Sequence, residues 1–313
     1  MFEAIKDLIE RYPRIIIHRH KNPDGDAMGA QQGLKEILRD NYPEKEIYAV
    51  GDNSTRYGFM LVTPLDEIPD ATYGGALAII LDLSAPGLVS DERYTLAEAT
   101  ARIDHHVFIE KFTDEEVVDT TAESCCSLIT AMAEECGWQV SRDAAKALYT
   151  GMVTDSGRFR YDSTTAKTHR LAAFLMERGF DTNEIYSSLY SEDLAHLQLR
   201  AKFTLKINVT PEGVAYIYTT REEAKSYGVD EFTISRGMVG VMSDLRGIHT
   251  WVNFTESDTG VLCEIRSSRY NINPIATKYG GGGHKKASGA TLKDREEAMA
   301  LLSDLKLLSE EKQ

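Results

Sequence analysis

The residues best equipped for chemistry are acids and imidazoles at four places along the chain. His20, Asp24 and Asp26 lie close together in HRHKNPDGDAMGA, after the apolar run RIIIH and before a stretch of small residues with a helical period. Asp82 ends ALAIILD, and Asp104, His105 and His106 end ARIDHH. Asp155 closes a helical pattern in GMVTDSGRF. Each has a plainer reading alone. Asp24-Gly25 suits a turn, Asp26 suits an N-cap, and Asp82 or Asp155 suits an element end. Taken together, they put carboxylate or imidazole wherever an α/β sheet builds a site. The donors are hard oxygen and imidazole, without thiolate. Such a set favours Mn²⁺ or Mg²⁺, admits Co²⁺ or Zn²⁺, and argues against a structural zinc site. These carboxylates and imidazoles exceed the needs of one cation. Two ions about 3.5–4 Å apart, bridged by a carboxylate and a hydroxide, fit the set and suit phosphate-ester hydrolysis.

The elements that must position these residues alternate. Strand-like runs at Arg14–His20, Glu46–Gly51, Ala76–Ser84 and Ala99–His106 are interleaved with helical patterns at Ala27–Asp40, Ala122–Cys136 and Arg142–Met152. This rhythm predicts an α/β fold, a mostly parallel sheet with helices on both faces, which binds ligands at the carboxyl ends of its strands. TTAKTHRLAAFLMERGF and DTNEIYSSLYS read as helices, and the polar SEDLAHLQLRAK as a linker. KINVTPEGVAYIYTT and HTWVNFTESDTGVLCEIRSS then read as hairpins, followed by GGGGHKKASGATL and a closing helix from near Asp294. The expected organisation is an α/β domain over residues 1–190, a linker over 191–205 and a smaller α+β domain over 206–313.

Composition narrows the function classes. The chain has 313 residues, 42% hydrophobic and 27% charged, which is long enough for buried cores and unlike a disordered chain. Its net charge of −14 disfavours long nucleic acid, whose binding depends on neutralising many phosphates. A small anion at a local cationic site stays compatible with it. No apolar run approaches the roughly 20 residues of a membrane span. The N-terminal MFEAIKDLIERYPR reads as an acidic amphipathic helix rather than a signal peptide. Cys125, Cys126, Cys136 and Cys263 follow neither a disulfide nor a zinc spacing, so the expected compartment is a reducing cytoplasm.

With these motifs in place, the sequence closely resembles the DHH/DHHA1 phosphoesterase superfamily over nearly its whole length. HRHKNPDGDAMGA, LDLS, IDHH and GMVTDSGRF look like its four N-terminal motifs, and EIRSS and GGGGHKKASGA like its DHHA1 domain. Length and motif wording are most similar to the bacterial nano-RNases that also act as pAp phosphatases. The resemblance implies hydrolysis of short oligoribonucleotides to mononucleotides and dephosphorylation of 3′-phosphoadenosine 5′-phosphate (pAp). Some relatives hydrolyse linear or cyclic dinucleotides. It also implies an active site in the interdomain cleft, with a homodimer among the admissible assemblies. His20, Asp24 and Asp82 would hold one Mn²⁺; Asp26, Asp82, His105 and Asp155 would hold the other, with Asp82 bridging. Mg²⁺ and Co²⁺ are the alternatives. His106 would face the scissile phosphate, and Asp104 would orient the histidines. The first motif ends in Gly29-Ala30 where the family has Gly-Ser, and Lys285-Lys286 follow His284 where relatives often have proline.

The C-terminal residues read as the substrate reader. Gly280 to Gly283 permit close backbone approach and free N–H groups aimed at an anion. Arg266, His284, Lys285 and Ser288 form a basic patch in an acidic chain, and an arginine fork suits phosphate. The resemblance implies that Arg266, Ser267 and His284 grip a terminal phosphate or base, with Gly281, Gly282, Gly283, Lys285 and Arg158 lining the same place. Phe159 reads equally well as core. Two competing readings are an inorganic pyrophosphatase or polyphosphatase, and a non-catalytic nucleotide sensor. The glycine-rich ending favours a nucleotide over bare phosphate, and the full ligand set favours catalysis over mere binding.

Overall fold

The computed structural model describes residues 1–54 and 56–310. The chain divides into two units, Met1–Ser191 and the residues from Glu192 onward.

Apolar runs organise the first unit. β1 (Arg14–His18) and β3 (Leu77–Leu81) are rich in isoleucine and leucine, and only Arg14 among their residues escapes full burial. β-Branched side chains suit the pleat, and strands covered on both faces read as continuous apolar runs. With β2 (Glu46–Ala49), β4 (Ala99–Asp104) and β5 (Glu115–Val118) they form a parallel sheet in the order β2-β1-β3-β4-β5. Ile15 lies opposite both Ile47 and Leu77, and Leu77 opposite Ala99. β5 was not expected, because its sequence EEVV is that of a half-exposed edge strand without an apolar run.

The helices of this unit are α1 (Glu3–Arg11), α2 (Gly25–Asn41), α3 (Cys125–Cys136), α4 (Arg142–Asp155), α5 (Ala166–Met176) and α6 (Thr182–Tyr190). Ile15, Ile17, Leu77, Ile79 and Ile103 share one core with helix residues such as Ile5, Leu34, Ile129 and Leu148. Ile16, Ala78 and Ile80 point the other way, toward Tyr73, Val89 and Tyr94. That face is covered by 3₁₀ turns, Asp70–Tyr73 and Glu92–Leu96, rather than by α-helices. Both faces are covered, but the β3–β4 connection carries Pro86-Gly87, which breaks a long helix.

α2 and α4 pack very closely. A Cβ on Gly29 would lie 2.6 Å from the Ala147 carbonyl oxygen and 2.9 Å from Cys126 Sγ. This approach brings the start of α2, carrying Asp26, beside the end of α4, carrying Asp155.

The second unit begins with α7 (Leu194–Leu205). The expected linker at residues 191–205 is therefore mostly helix. Leu199 and Phe203, one turn apart, are buried with Ile217 and Trp251. Two apolar anchors at this spacing suffice, although the rest of the segment is polar. β6 (Asn208–Val209) and β7 (Val214–Thr219) form the first hairpin. α8 (Arg221–Ser226) leads through short helical turns to β8 (Thr250–Ser257) and β9 (Gly260–Ser267), the second hairpin. α9 (Asn273–Lys278), β10 (Gly282–Gly283), β11 (Ala287–Leu292) and α10 (Arg295–Glu310) complete it. The sheet order is β10-β11-β9-β8-β7-β6, and Leu301 and Leu305 of α10 pack on Val252, Phe254 and Ile265.

Candidate metal centre

Four local structures deliver the acids and imidazoles. His20 follows β1, and its Nδ1 lies 2.8 Å from the Lys21 carbonyl oxygen. A carbonyl can only accept, so Nδ1 donates to it, and Nε2 is the ring nitrogen turned toward the carboxylates. Asp24 is the N-cap of α2, taking N–H bonds from Asp26 and Ala27 at 3.0 Å. The cap expected at Asp26 thus belongs to Asp24, and Asp26 sits inside the first turn. There Asp26 is 1% exposed, and both its oxygens accept N–H groups from the start of α3, Cys125 at 2.7 Å and Cys126 at 2.9 Å. Asp82 leaves β3 in left-handed backbone, φ 62°, a conformation aspartate tolerates better than most residues.

These groups converge. His20 Nε2 lies 3.6 Å from Asp82 Oδ2 and 3.8 Å from Asp24 Oδ1. His105 Nε2 lies 3.4 Å from Asp82 Oδ1, 3.5 Å from Asp155 Oδ2 and 3.7 Å from Asp26 Oδ2. Three sets, each with donor atoms within 4.8 Å of one another, could hold a cation: His20, Asp24 and Asp82; Asp26, His105 and Asp155; and Asp82, His105 and His106. Asp82 and His105 each belong to two sets. His106 Nδ1 is bound to Asp104 Oδ1 at 2.8 Å and stands 3.6 Å from Asp82.

The electrostatics are those of a cation site. Burial opposes charging His20 and His105, but neighbouring carboxylates outweigh it and push them up to about 11 and about 10. Burial, then Asp82 and Asp155, raise Asp26 far above the usual carboxylate range. Burial raises Asp155 to about 7 against the pull of His105, with Asp82 and Asp24 adding to the rise. Asp82 goes the other way: burial disfavours its charge, but His105 and His20 hold it below that range. Crowded carboxylates that cannot all ionise call for positive charge among them. Among the described residues, buried Asp82 Oδ1 and Asp104 Oδ2 have no hydrogen-bond partner, so acceptor capacity is left over. Oxygen and imidazole donors with spare lone pairs fit hard or borderline divalent cations.

The comparisons with known proteins agree. The DHH family N-terminal domain matches residues 14–152, and the DHHA1 domain matches residues 224–311. The bifunctional oligoribonuclease and PAP phosphatase NrnA of Bacillus subtilis is 36% identical over 97% of this chain and 97% of its own. The chain belongs to the DHH family. The cyclic-di-AMP phosphodiesterase GdpP of Geobacillus thermodenitrificans is 25% identical over 93% of this chain and 46% of its own. An exopolyphosphatase-related protein from Bacteroides fragilis shares the fold, with a TM-score of 0.85 at 24% identity over 99% of this chain and 97% of that one.

The DHHA1 residues behave differently from their sequence reading. Gly280 and Gly281 donate their N–H groups to the Thr277 and Ala276 carbonyls at the end of α9, and Gly282-Gly283 pair with Gly289 and Ser288. The free N–H groups expected at Gly280 and Gly281 are therefore engaged. Glycine is needed there for packing: a Cβ on Gly281 would fall 2.1 Å from the Gly289 carbonyl oxygen. The Ser267 hydroxyl is also occupied, donating to the His249 carbonyl and accepting from Arg269 and Tyr270. Arg266 is ion-paired to Glu264 at 3.0 Å, while His284 and Lys285 are exposed. Arg158, in the first unit, is exposed, and Phe159 packs on Tyr149. Sequence reasoning missed the start of α3, which Ser124 caps and whose Cys125 and Cys126 N–H groups grip Asp26. The S-C-C-S start before an apolar helix was its only signal.

Proposed function

We propose that this DHH-family chain is a divalent-metal-dependent phosphoesterase. Its substrates are short oligoribonucleotides, cleaved to mononucleotides, and pAp, dephosphorylated at one phosphate; dinucleotides extend the same class. The observation that carries this reading is Asp82, buried, shared between two donor sets and holding a spare oxygen. Near-full-length identity to the Bacillus enzyme supports the substrate class.

His20, Asp24 and Asp82 would hold one Mn²⁺, and Asp26, Asp82, His105 and Asp155 the other. When bound, the ions supply positive charge and a nucleophile at neutral pH for attack on phosphorus. The rest is the work of the chain. Asp104 holds the His106 ring through Nδ1, so Nε2 can donate to a phosphoryl oxygen as its charge grows. The bond to Asp104, opposed by burial and assisted by Asp82, raises the His106 pKa, which favours the protonated ring. Arg266, His284, Lys285 and Arg158 are assigned to the substrate's other phosphate or base. Ser267 and Gly281 to Gly283 act by shaping the segments that carry them. The cytoplasm is the proposed compartment, which fits four free cysteines; no helix among the described residues is long and apolar enough to cross a membrane.

The test is a substrate panel with Mn²⁺, read by chromatography: pAp, di- to pentaribonucleotides, a long single strand and inorganic pyrophosphate. Mononucleotides and phosphate should come from the short substrates, with rates falling steeply as length grows. Turnover of pyrophosphate alone would overturn the reading.

A further inference from the structure

Beside the acid–imidazole cluster, the first unit gathers tyrosines around Arg158. α4 ends at Asp155, and Gly157, Arg158 and Phe159 then take left-handed backbone in succession, with φ of 57°, 65° and 61°. That conformation is uncommon for arginine and phenylalanine, so the surroundings must hold it. Phe159 is anchored inward, its ring 5.9 Å from Tyr149 and 5.4 Å from His169. The Ser156 hydroxyl accepts the Phe159 N–H at 2.9 Å. With Phe159 turned in, Arg158 is turned out, and its guanidinium lies over the Tyr190 ring at 4.9 Å.

More rings surround this pair. Tyr190 stacks on Tyr186, with centroids 6.0 Å apart and planes 27° from parallel. Tyr161 lies flat against Gly157, where a Cβ would come within 2.4 Å of its ring. Tyr161 is 62% exposed and Tyr190 40% exposed. Core packing alone does not account for two large rings left open and held in place beside an exposed arginine. Pre-fixed rings lose little entropy when another flat group stacks on them.

We propose that Tyr161, Tyr190 and Arg158 form a platform on which a nucleobase of the substrate stacks beside the reacting phosphate. This rests on the nucleotide reading above and deepens it. Every base has a π face, so stacking tolerates any sequence, as a scavenger of mixed short RNA requires. Arginine adds a cation–π contribution. Pyrophosphate, having no base, gains nothing from the platform.

The test uses the full chain with Mn²⁺ and three substrates: a diribonucleotide and its two versions lacking one base or the other. For the wild type, removing the stacked base should lower kcat/KM about tenfold, mainly through KM. Tyr161→Ala/Tyr190→Ala should lose the same factor on the intact dinucleotide and show no further loss on the abasic one. Tyr190→Phe, which keeps the ring, should retain wild-type behaviour. Should the double variant melt early, Tyr161→Ala alone replaces it. Indifference of the wild type to both abasic substrates would overturn the platform. So would a variant that still discriminates like the wild type. A wild type that cleaves none of the three would instead bring down the nucleotide reading, and the platform with it.

Discussion

Asp82 in the first unit is 1% exposed, has an oxygen with no hydrogen bond among the described residues and stands within 3.6 Å of three imidazoles. Arg266 in the second unit is about one-fifth exposed and already paired with Glu264, and His284 is open to water. Buried carboxylates packed together destabilise the fold unless a cation joins them, so the first group is specified by what it binds. Surface bases cost little to keep or remove. The first region should therefore fail as a unit, and the second residue by residue.

The largest effect should come from Asp82→Asn, which keeps the left-handed backbone but removes the carboxylate's charge and one of its two oxygen donors. Hydrolysis of nucleotides and of bis-p-nitrophenyl phosphate should both fall to background, and bound Mn²⁺, counted by mass spectrometry, should drop. Asp24→Asn keeps a good N-cap and should be milder. Exhaustive chelation should silence the wild type, with Mn²⁺ restoring it best. Unchanged metal content and rate in Asp82→Asn would erase the contrast between the two regions.

His18 sharpens it from another side. Two residues before His20, it is fully buried on β1, and neither ring nitrogen has a hydrogen-bond partner. Burial lowers its pKa to about 4, against the raising effect of Asp91. With the folded value depressed, this contribution to stability is complete above pH 6.5 and is lost as pH falls toward about 4. The loss should amount to roughly 3 kcal/mol. Urea melts across that window should show it, and His18→Leu should flatten the slope. An unchanged slope in His18→Leu would mean that His18 is not the group responsible.

In the second unit, Arg266→Ala or His284→Ala would each remove the proposed charge-assisted contact to substrate, worth roughly 1.5–3 kcal/mol if made. kcat/KM for pAp and dinucleotides should fall by about one to two orders of magnitude, and much less for the generic ester. Equal losses on both substrates would mean that these residues do more than read the nucleotide. The smallest effect should be Ser124→Ala, which removes the α3 cap. It should cost about 1 kcal/mol in a urea melt. Mn²⁺ affinity should weaken about tenfold, because Asp26 is less firmly held. Loss of stability with unchanged affinity would show that the α3 start supports the helix but not the Asp26 carboxylate.

Particular residues show how far the sequence could be read. The Ile15–Ile17 and Leu77–Leu81 runs announced central parallel strands, because a strand buried on both faces has no polar position to spare. His20, Asp24, Asp26, Asp82, His105 and Asp155 were legible as candidates because each stands near an element's end, where periodicity stops, and the fold brings their donor atoms together. β5 was not legible, since an edge strand needs no apolar run. α7 was not, since Leu199 and Phe203 are too few to stand out from a polar segment. The N–H groups of Gly280 and Gly281 were misread as free because the same residue serves anion binding and close packing, and the Gly289 carbonyl against Gly281 shows the packing role there.

By itself, then, the sequence determined the strand–helix alternation, the types of donor and their places at element ends, because periodicity and residue chemistry are local properties. Tertiary structure alone decided that Asp82 falls in two donor sets, that the α3 N–H groups grip Asp26, that His18 is fully buried, and that Tyr161 and Tyr190 lie open beside Arg158. Those facts depend on burial and on distances between residues far apart in the chain. The folded path sets both, and no local pattern encodes either.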